Sequence, residues 1–140
     1  MASGNDWKRA QTSVEYMLAI AMTIVLVAAI MVSGFKELEL DLAVGAVRMG
    51  GSDFTARNAN YTLGRINVSI NETLNTVNVT PHFYLRGASE VSASDRADAS
   101  ALCFLKMRSV FSPGNSSIAS DYCFDAPYRR YCITPVMAPA

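Results

Sequence analysis

The chain has 140 residues, 51% of them hydrophobic, and a formal net charge of zero. A length of this order accommodates one membrane-length helix and one small domain, not two domains. Its 12 Lys and Arg residues are scattered rather than gathered into a stripe, so the sequence lacks the electrostatic footprint of a nucleic-acid binder.

The N-terminal segment reads Lys8-Arg9-Ala10-Gln11-Thr12-Ser13-Val14-Glu15-Tyr16. It is then apolar from Met17 to Val32 except at Thr23, and Phe35 extends the run. A helix from Tyr16 to Phe35 spans about 30 Å, the thickness of a bilayer core. Lys8 and Arg9 precede this run, whereas Glu37, Glu39 and Asp41 follow it, opposed only by Lys36. The positive-inside rule therefore places the N-terminus in the cytoplasm and residues 36–140 outside. An ordinary secretory signal fits less well, because its apolar region runs only about 7–15 residues.

Glu15 stands just inside the start of this helix, and an unpaired carboxylate at the centre of a membrane costs about 3 kcal/mol or more. Thr12-Ser13-Val14-Glu15 reads as a capping box, with Thr12 at the N-cap and Glu15 at the third helical position. An acid in a first turn also suits the helix dipole.

The stretch from Lys8 to Tyr16, with the long apolar helix behind it, closely resembles the class III signal of archaeal type IV pilin-like proteins. In that family a short basic leader is followed by Gln-x-Ser-x-Glu, here Gln11, Ser13 and Glu15. The resemblance implies a prepilin peptidase that cuts between Ala10 and Gln11, with Lys8, Arg9 and Ser13 completing the processing motif. It further implies that Glu15, fifth in the mature chain, pairs with the N-terminal amine of a neighbouring copy. Such an amine has an ordinary pKa near 8 and is mostly protonated at neutral pH. The pairing requires that the new terminal Gln11 has not cyclised.

Beyond the apolar run the helical pattern continues. Phe35, Leu38, Leu42, Gly45 and Met49 fall on one face, and Leu40, Val44 and Val47 on nearly the opposite one, with Glu39, Asp41 and Arg48 between them. A helix covering one domain needs a single apolar stripe. Two stripes suggest that one packs the chain's own head while the other meets neighbouring copies. Gly50-Gly51-Ser52 is the expected helix end.

Residues 53–140 read as β-structure. Ile66, Val68 and Ile70 alternate with Asn67, Ser69 and Asn71, and Val77 and Val79 alternate with Asn78 and Thr80, followed by Phe83 and Leu85 after Pro81. Residues 102–110 give a further candidate strand, and Ser112-Pro113-Gly114-Asn115 a turn. Residues 128–133 are expected to form a last strand before a Pro/Ala tail, and residues 89–98 a polar loop or short helix. Six or seven short antiparallel strands in a sheet or small sandwich account for this length. The expected class is α+β: a long N-terminal hydrophobic helix, then a small antiparallel β-sheet or β-sandwich head, as in pilins. The resemblance divides the chain into a cleaved leader (1–10), a helix serving as membrane anchor and then filament core (11–50), and an extracellular head (51–140).

Five of the eight asparagines stand in Asn-x-Ser/Thr sequons: Asn60, Asn67, Asn71, Asn78 and Asn115. With an exported head these read as surface glycosylation sites, of which Asn78, followed so closely by Pro81, is the least favoured. Cys103, Cys123 and Cys132 allow one disulfide and leave one thiol. A Cys123–Cys132 bridge would stabilise the fold by about 2.5–3 kcal/mol in the chain-entropy model. Pairings of Cys103 stay open, and its alternation with Leu105 and Met107 also fits a buried thiol. Three cysteines and one distant His82 lack zinc spacing, so no metal is expected. No phosphate loop or nucleophile motif occurs, and Asp95 and Asp98 form no evident acid pair. No cofactor and no catalytic residue are expected.

The function that follows is a structural subunit of an archaeal type IV pilus-like surface filament serving adhesion. Its expected partners are other copies of itself, the prepilin peptidase, an assembly ATPase and a membrane platform protein, with the precursor held in the membrane. An archaellin-like motility subunit is an alternative, although archaellins usually lack Gln-x-Ser-x-Glu at the mature start. A membrane-anchored binding module that never polymerises is another.

Overall fold

The computed structural model describes the backbone of residues 4–87, 90–112 and 121–139, with side chains from residue 14 onward in those ranges. The elements are α1 (Gly4–Arg57), β1 (Tyr61–Asn71), β2 (Thr76–Leu85), α2 (Ala93–Phe111), β3 (Cys123–Asp125), β4 (Arg130–Ile133) and β5 (Val136–Pro139). The chain is thus α+β, a long apolar N-terminal helix followed by a small sheet. It divides into two compact units, Met1–Glu37 and Leu38–Ala140, and α1 contributes to both.

In the first unit the described residues are helical from Gly4. Thr12, expected at the N-cap, therefore lies inside the helix. The stretch from Asn5 to Ser13 contains neither Gly nor Pro, and Lys8, Arg9, Ala10 and Gln11 are good helix formers, so nothing in the uncut chain starts the helix at Thr12. Thr23 is satisfied within its own helix, its hydroxyl donating to the Ala19 carbonyl at 2.8 Å.

In the second unit α1 does not stop at Gly50-Gly51-Ser52 but continues to Arg57. The two glycines serve close packing instead. A Cβ on Gly50 would stand 2.6 Å from the Cys103 Cα and 2.8 Å from the Leu102 carbonyl oxygen, so α1 and α2 meet there backbone to backbone. Ala43, Ala46, Val47 and Phe54 extend the buried stripe to either side of that contact.

Residues 102–110, expected as a strand, belong to helix α2. Its buried residues are Ala99, Ser100, Cys103, Phe104 and Met107, which recur at helical rather than alternating spacing. Ser92 caps the helix by accepting from the Ser94 amide, and Asp95 lies in the first turn.

The sheet has five strands in the order β1-β2-β4-β3, with β5 also on β2. It is mixed rather than wholly antiparallel. β1–β2 and β3–β4 are antiparallel, but β2 runs parallel to both β4 and β5. α2 leads into β3, which is antiparallel to β4 and so runs opposite to β2; the chain reverses between β3 and β4, and β4, with β5 after it, thereby runs parallel to β2. The expected Pro/Ala tail is β5, separated from β4 by Thr134 and the buried Pro135. Pro81 sits in central strand β2 because the ladder is interrupted there. β4 pairs with Thr76–Val79, β5 with His82–Leu85, and β1 shifts register between Leu63 and Ile66. A residue without N–H costs no ladder bond at such a break.

β2 alternates cleanly. Val77, Val79, Pro81, Phe83 and Leu85 face the core, and Asn78 faces solvent. The Phe54 ring packs against Tyr61 and Phe83 with centroids 5.3 and 5.2 Å away, and Phe111 stacks on Phe124 and Tyr131 at 5.7 and 5.9 Å.

Candidate functional site

The most distinctive surface is α1 itself. In the first unit Val14, Tyr16, Met17, Leu18, Met22, Ile24, Val25, Leu26, Ile30 and Met31 are each more than half exposed, around the whole circumference of the helix. A soluble helix buries one apolar side, whereas this stretch is apolar all round and covered by nothing among the described residues. It is long and apolar enough to cross a membrane. Glu15 is exposed within this stretch. Lys8, Arg9, Ala10, Gln11 and Ser13 lie on the helical backbone of α1, and their side chains fall outside the described ones.

In the second unit the two stripes of α1 separate as their spacing implies. Val47 is fully buried and Leu40 packs against the core, while Leu38, Leu42 and Met49 remain 56%, 46% and 53% exposed. Gly45 lies on the exposed stripe, with open space where a Cβ would go.

Glu39 has a role that the sequence reading missed. It is 5% exposed and accepts a hydrogen bond from the Tyr128 amide at 3.1 Å through Oε2. Burial, and then the neighbouring Glu39 carboxylate, raise the Tyr131 hydroxyl above its ordinary range, since both disfavour the phenolate. Glu39 thereby ties α1 to the segment between β3 and β4. The signal was present in the spacing: Glu39 precedes Ala43 and Val47 by one and two turns on the same buried face.

Cys123 and Cys132 are directly opposed partners of β3 and β4 and form a disulfide. Cys103 is a buried free thiol. It donates weakly to the Val47 carbonyl at 3.7 Å, and burial pushes its pKa up to about 12. A disulfide fits an oxidising, extracytoplasmic setting, and a protonated buried thiol is unreactive.

Four of the five sequon asparagines, Asn60, Asn67, Asn71 and Asn78, are exposed, and Asn115 lies outside the described residues, as does the turn expected from Pro113 on. Asn67 pairs with Thr80, and Asn78 with Ser69, on the sheet face opposite the core. His82 engages the Asn67 amide nitrogen across a 3.0 Å Nδ2···Nε2 contact. Asp95 accepts from the Tyr61 hydroxyl at 2.8 Å. Burial, followed by this carboxylate, raises the Tyr61 pKa. Asp98 lines a shallow cleft of about 240 Å³ with Arg57, Asn58, Ala101 and Leu102. Among the described residues no three His, Cys, Asp or Glu side chains gather as a metal site would require.

The chain matches no protein-family model, and comparison with curated proteins and with solved structures found no match.

Proposed function

We propose that this chain is the structural subunit of an archaeal type IV pilus-like surface filament that serves adhesion. The observation that carries the reading is the second apolar stripe of α1: Leu38, Leu42 and Met49 stay exposed although they lie beyond the membrane-length segment. A membrane anchor explains exposed side chains up to about Phe35, and a head domain explains the buried face at Val47. Neither accounts for an uncovered stripe on the head's own helix. A neighbouring helix would cover it, and repetition of that heterologous contact builds an open polymer. A membrane-anchored module that never polymerises has no use for this stripe.

In this reading the leader is removed between Ala10 and Gln11, an assembly ATPase and a platform protein drive extraction from the membrane, and Glu15 pairs with the amine of another copy's Gln11. The exported head carries the Cys123–Cys132 bridge. The test is Glu15→Ala, with the intact mass of the sheared surface fraction as readout. The variant is expected to lose residues 1–10 normally yet fail to enter filaments. Normal filament yield from Glu15→Ala removes the assembly role, and a mature N-terminus near Phe35 overturns the filament reading itself.

A further inference from the structure

β1 is an edge strand: among the described strands it pairs with β2 alone, and from Asn67 to Asn71 every residue is exposed. Its outer half, Ile66–Asn71, has no charge, no proline and no bulge, because the one register shift falls earlier, between Leu63 and Ile66. Val68 and Ile70 point to the core side but remain 37% and 44% exposed. An uncharged, regular edge with exposed β-branched residues is a template for pairing with another chain. Natural edges of this kind are protected by lysine, proline, a bulge or a cover. Here the only polar side chains in that half are Asn67, Ser69 and Asn71, and both asparagines head sequons.

We propose that Asn67 and Asn71 carry N-linked glycans that guard the β1 edge against edge-to-edge pairing. The inference rests on the exported head of the filament reading, but not on polymerisation. The co-substrate class is an oligosaccharide linked through its anomeric carbon to a lipid phosphate or pyrophosphate. Nδ2 of the asparagine forms a bond to that carbon, the carbon–oxygen bond to phosphate breaks, the lipid phosphate leaves with the electron pair, and one amide proton passes to a base. Both amides suit this chemistry. Asn67 keeps one N–H for His82 Nε2 after the other is replaced. Asn71 uses its Oδ1 to accept from the Leu74 amide at 3.1 Å, which leaves Nδ2 outside that bond. A strand pairing with β1 would run about 4.8 Å from it, alongside these two side chains, and a branched sugar on either occupies that lane. Asn78 lies on β2, between β1 and β4, where no edge needs protection.

The test uses full-length protein extracted in mild detergent from the cells that export it. Peptide mass mapping is expected to find sugar mass at Asn67 and Asn71. Ser69→Ala combined with Thr73→Ala removes both sequons while keeping both asparagines. By light scattering this variant is expected to form at least tenfold more high-mass species, with slowed deuterium exchange at β1 amides. Adding Val68→Lys, a charge on the bare edge, is expected to reverse that association. Sugar at Asn60 or Asn78 but not at Asn67 and Asn71 overturns the guard while leaving export intact. Bare asparagines at Asn67 and Asn71 overturn the guard, while the exported topology is read separately from the Cys123–Cys132 bridge in the same mass map, and absence of that bridge would overturn export. Glycosylated wild type whose sequon-free variant associates no more than it does, or whose association Val68→Lys does not reverse, also overturns the proposal.

Discussion

A Cβ on Gly50 would lie 2.6 Å from the Cα of Cys103, closer than real Cβ contacts come. The obstacle is backbone, not a side chain that can swing away, so α1 and α2 would have to separate. Alanine favours a helix over glycine by about 1 kcal/mol. Overpacking of this kind costs about 1–3 kcal/mol or more, and the clash wins. Gly50→Ala is expected to lower the unfolding free energy by about 1–2 kcal/mol, measured by urea titration of the full chain in detergent.

Gly45 gives the opposite expectation. Nothing stands within 4 Å of its Cβ position. Gly45→Ala is expected to leave the isolated chain as stable or up to about 1 kcal/mol more stable in the same titration. Gly45 lies on the exposed stripe with Leu42 and Met49, so under the filament reading the added methyl acts on a neighbouring copy. Sheared filament yield should fall although the subunit is no weaker. Loss of both stability and yield would show that Gly45 has an intramolecular role instead.

Glu39→Ala removes the acceptor of the Tyr128 amide and leaves space beside Tyr131. Loss of this hydrogen bond to a partly buried amide costs about 0.5–1.5 kcal/mol. The expected signature is local: faster deuterium exchange at Tyr128 and across β4, with α2 unchanged. Uniform loss of protection would mean that Glu39 acts globally rather than as a tie.

The sequence displayed what periodicity and segregated polarity can encode. It showed the apolar helix, its two stripes and the alternating stretches of β1 and β2 with their asparagines; in it the Cys123–Cys132 bridge is one open option and the pairing of Cys103 stays open. It concealed what depends on partners distant along the chain. Cys103, Leu105 and Met107 alternate by chance over a short apolar run, while the helical spacing of Ala99, Cys103 and Met107 and the cap at Ser92 mark α2. Gly50-Gly51 resembles a helix end because glycine there is locally unfavourable, and only the approach of α2 explains why it is retained. The parallel place of β4 and β5 beside β2 comes from the reversal of the chain between β3 and β4 after α2, a pairing of segments distant along the chain that no local pattern marks.

The thiols give a direct mass readout. With Cys103 buried and the other two cysteines bridged, native protein is expected to take up no alkylating label. Denaturation alone should add one, and denaturation with reduction three, matching the three cysteines of the chain. Reducing the bridge frees the ends of a short loop and is expected to cost about 2–3 kcal/mol. Labelling of Cys103 in the native state would contradict its contact with Val47.

Alkaline pH separates the buried groups. The folded Cys103 thiol is raised to about 12, whereas an unfolded cysteine titrates near 8.5. Its stabilising contribution is therefore complete below about pH 8.5 and is lost as pH rises toward the folded value, because the unfolded chain releases the proton first. Each such group steepens the decline by about 1.4 kcal/mol per pH unit. Tyr131 and Tyr61, both raised mainly by burial, act in the same direction from about pH 10 upward. Urea unfolding from pH 8 to 11, with the disulfide verified by mass, should show stability falling from about pH 9. Cys103→Ala is expected to flatten the first part of that fall and Tyr131→Phe the part above pH 10. A wild-type profile that stays level to pH 11 would mean that these groups are wetter in solution than their packing implies.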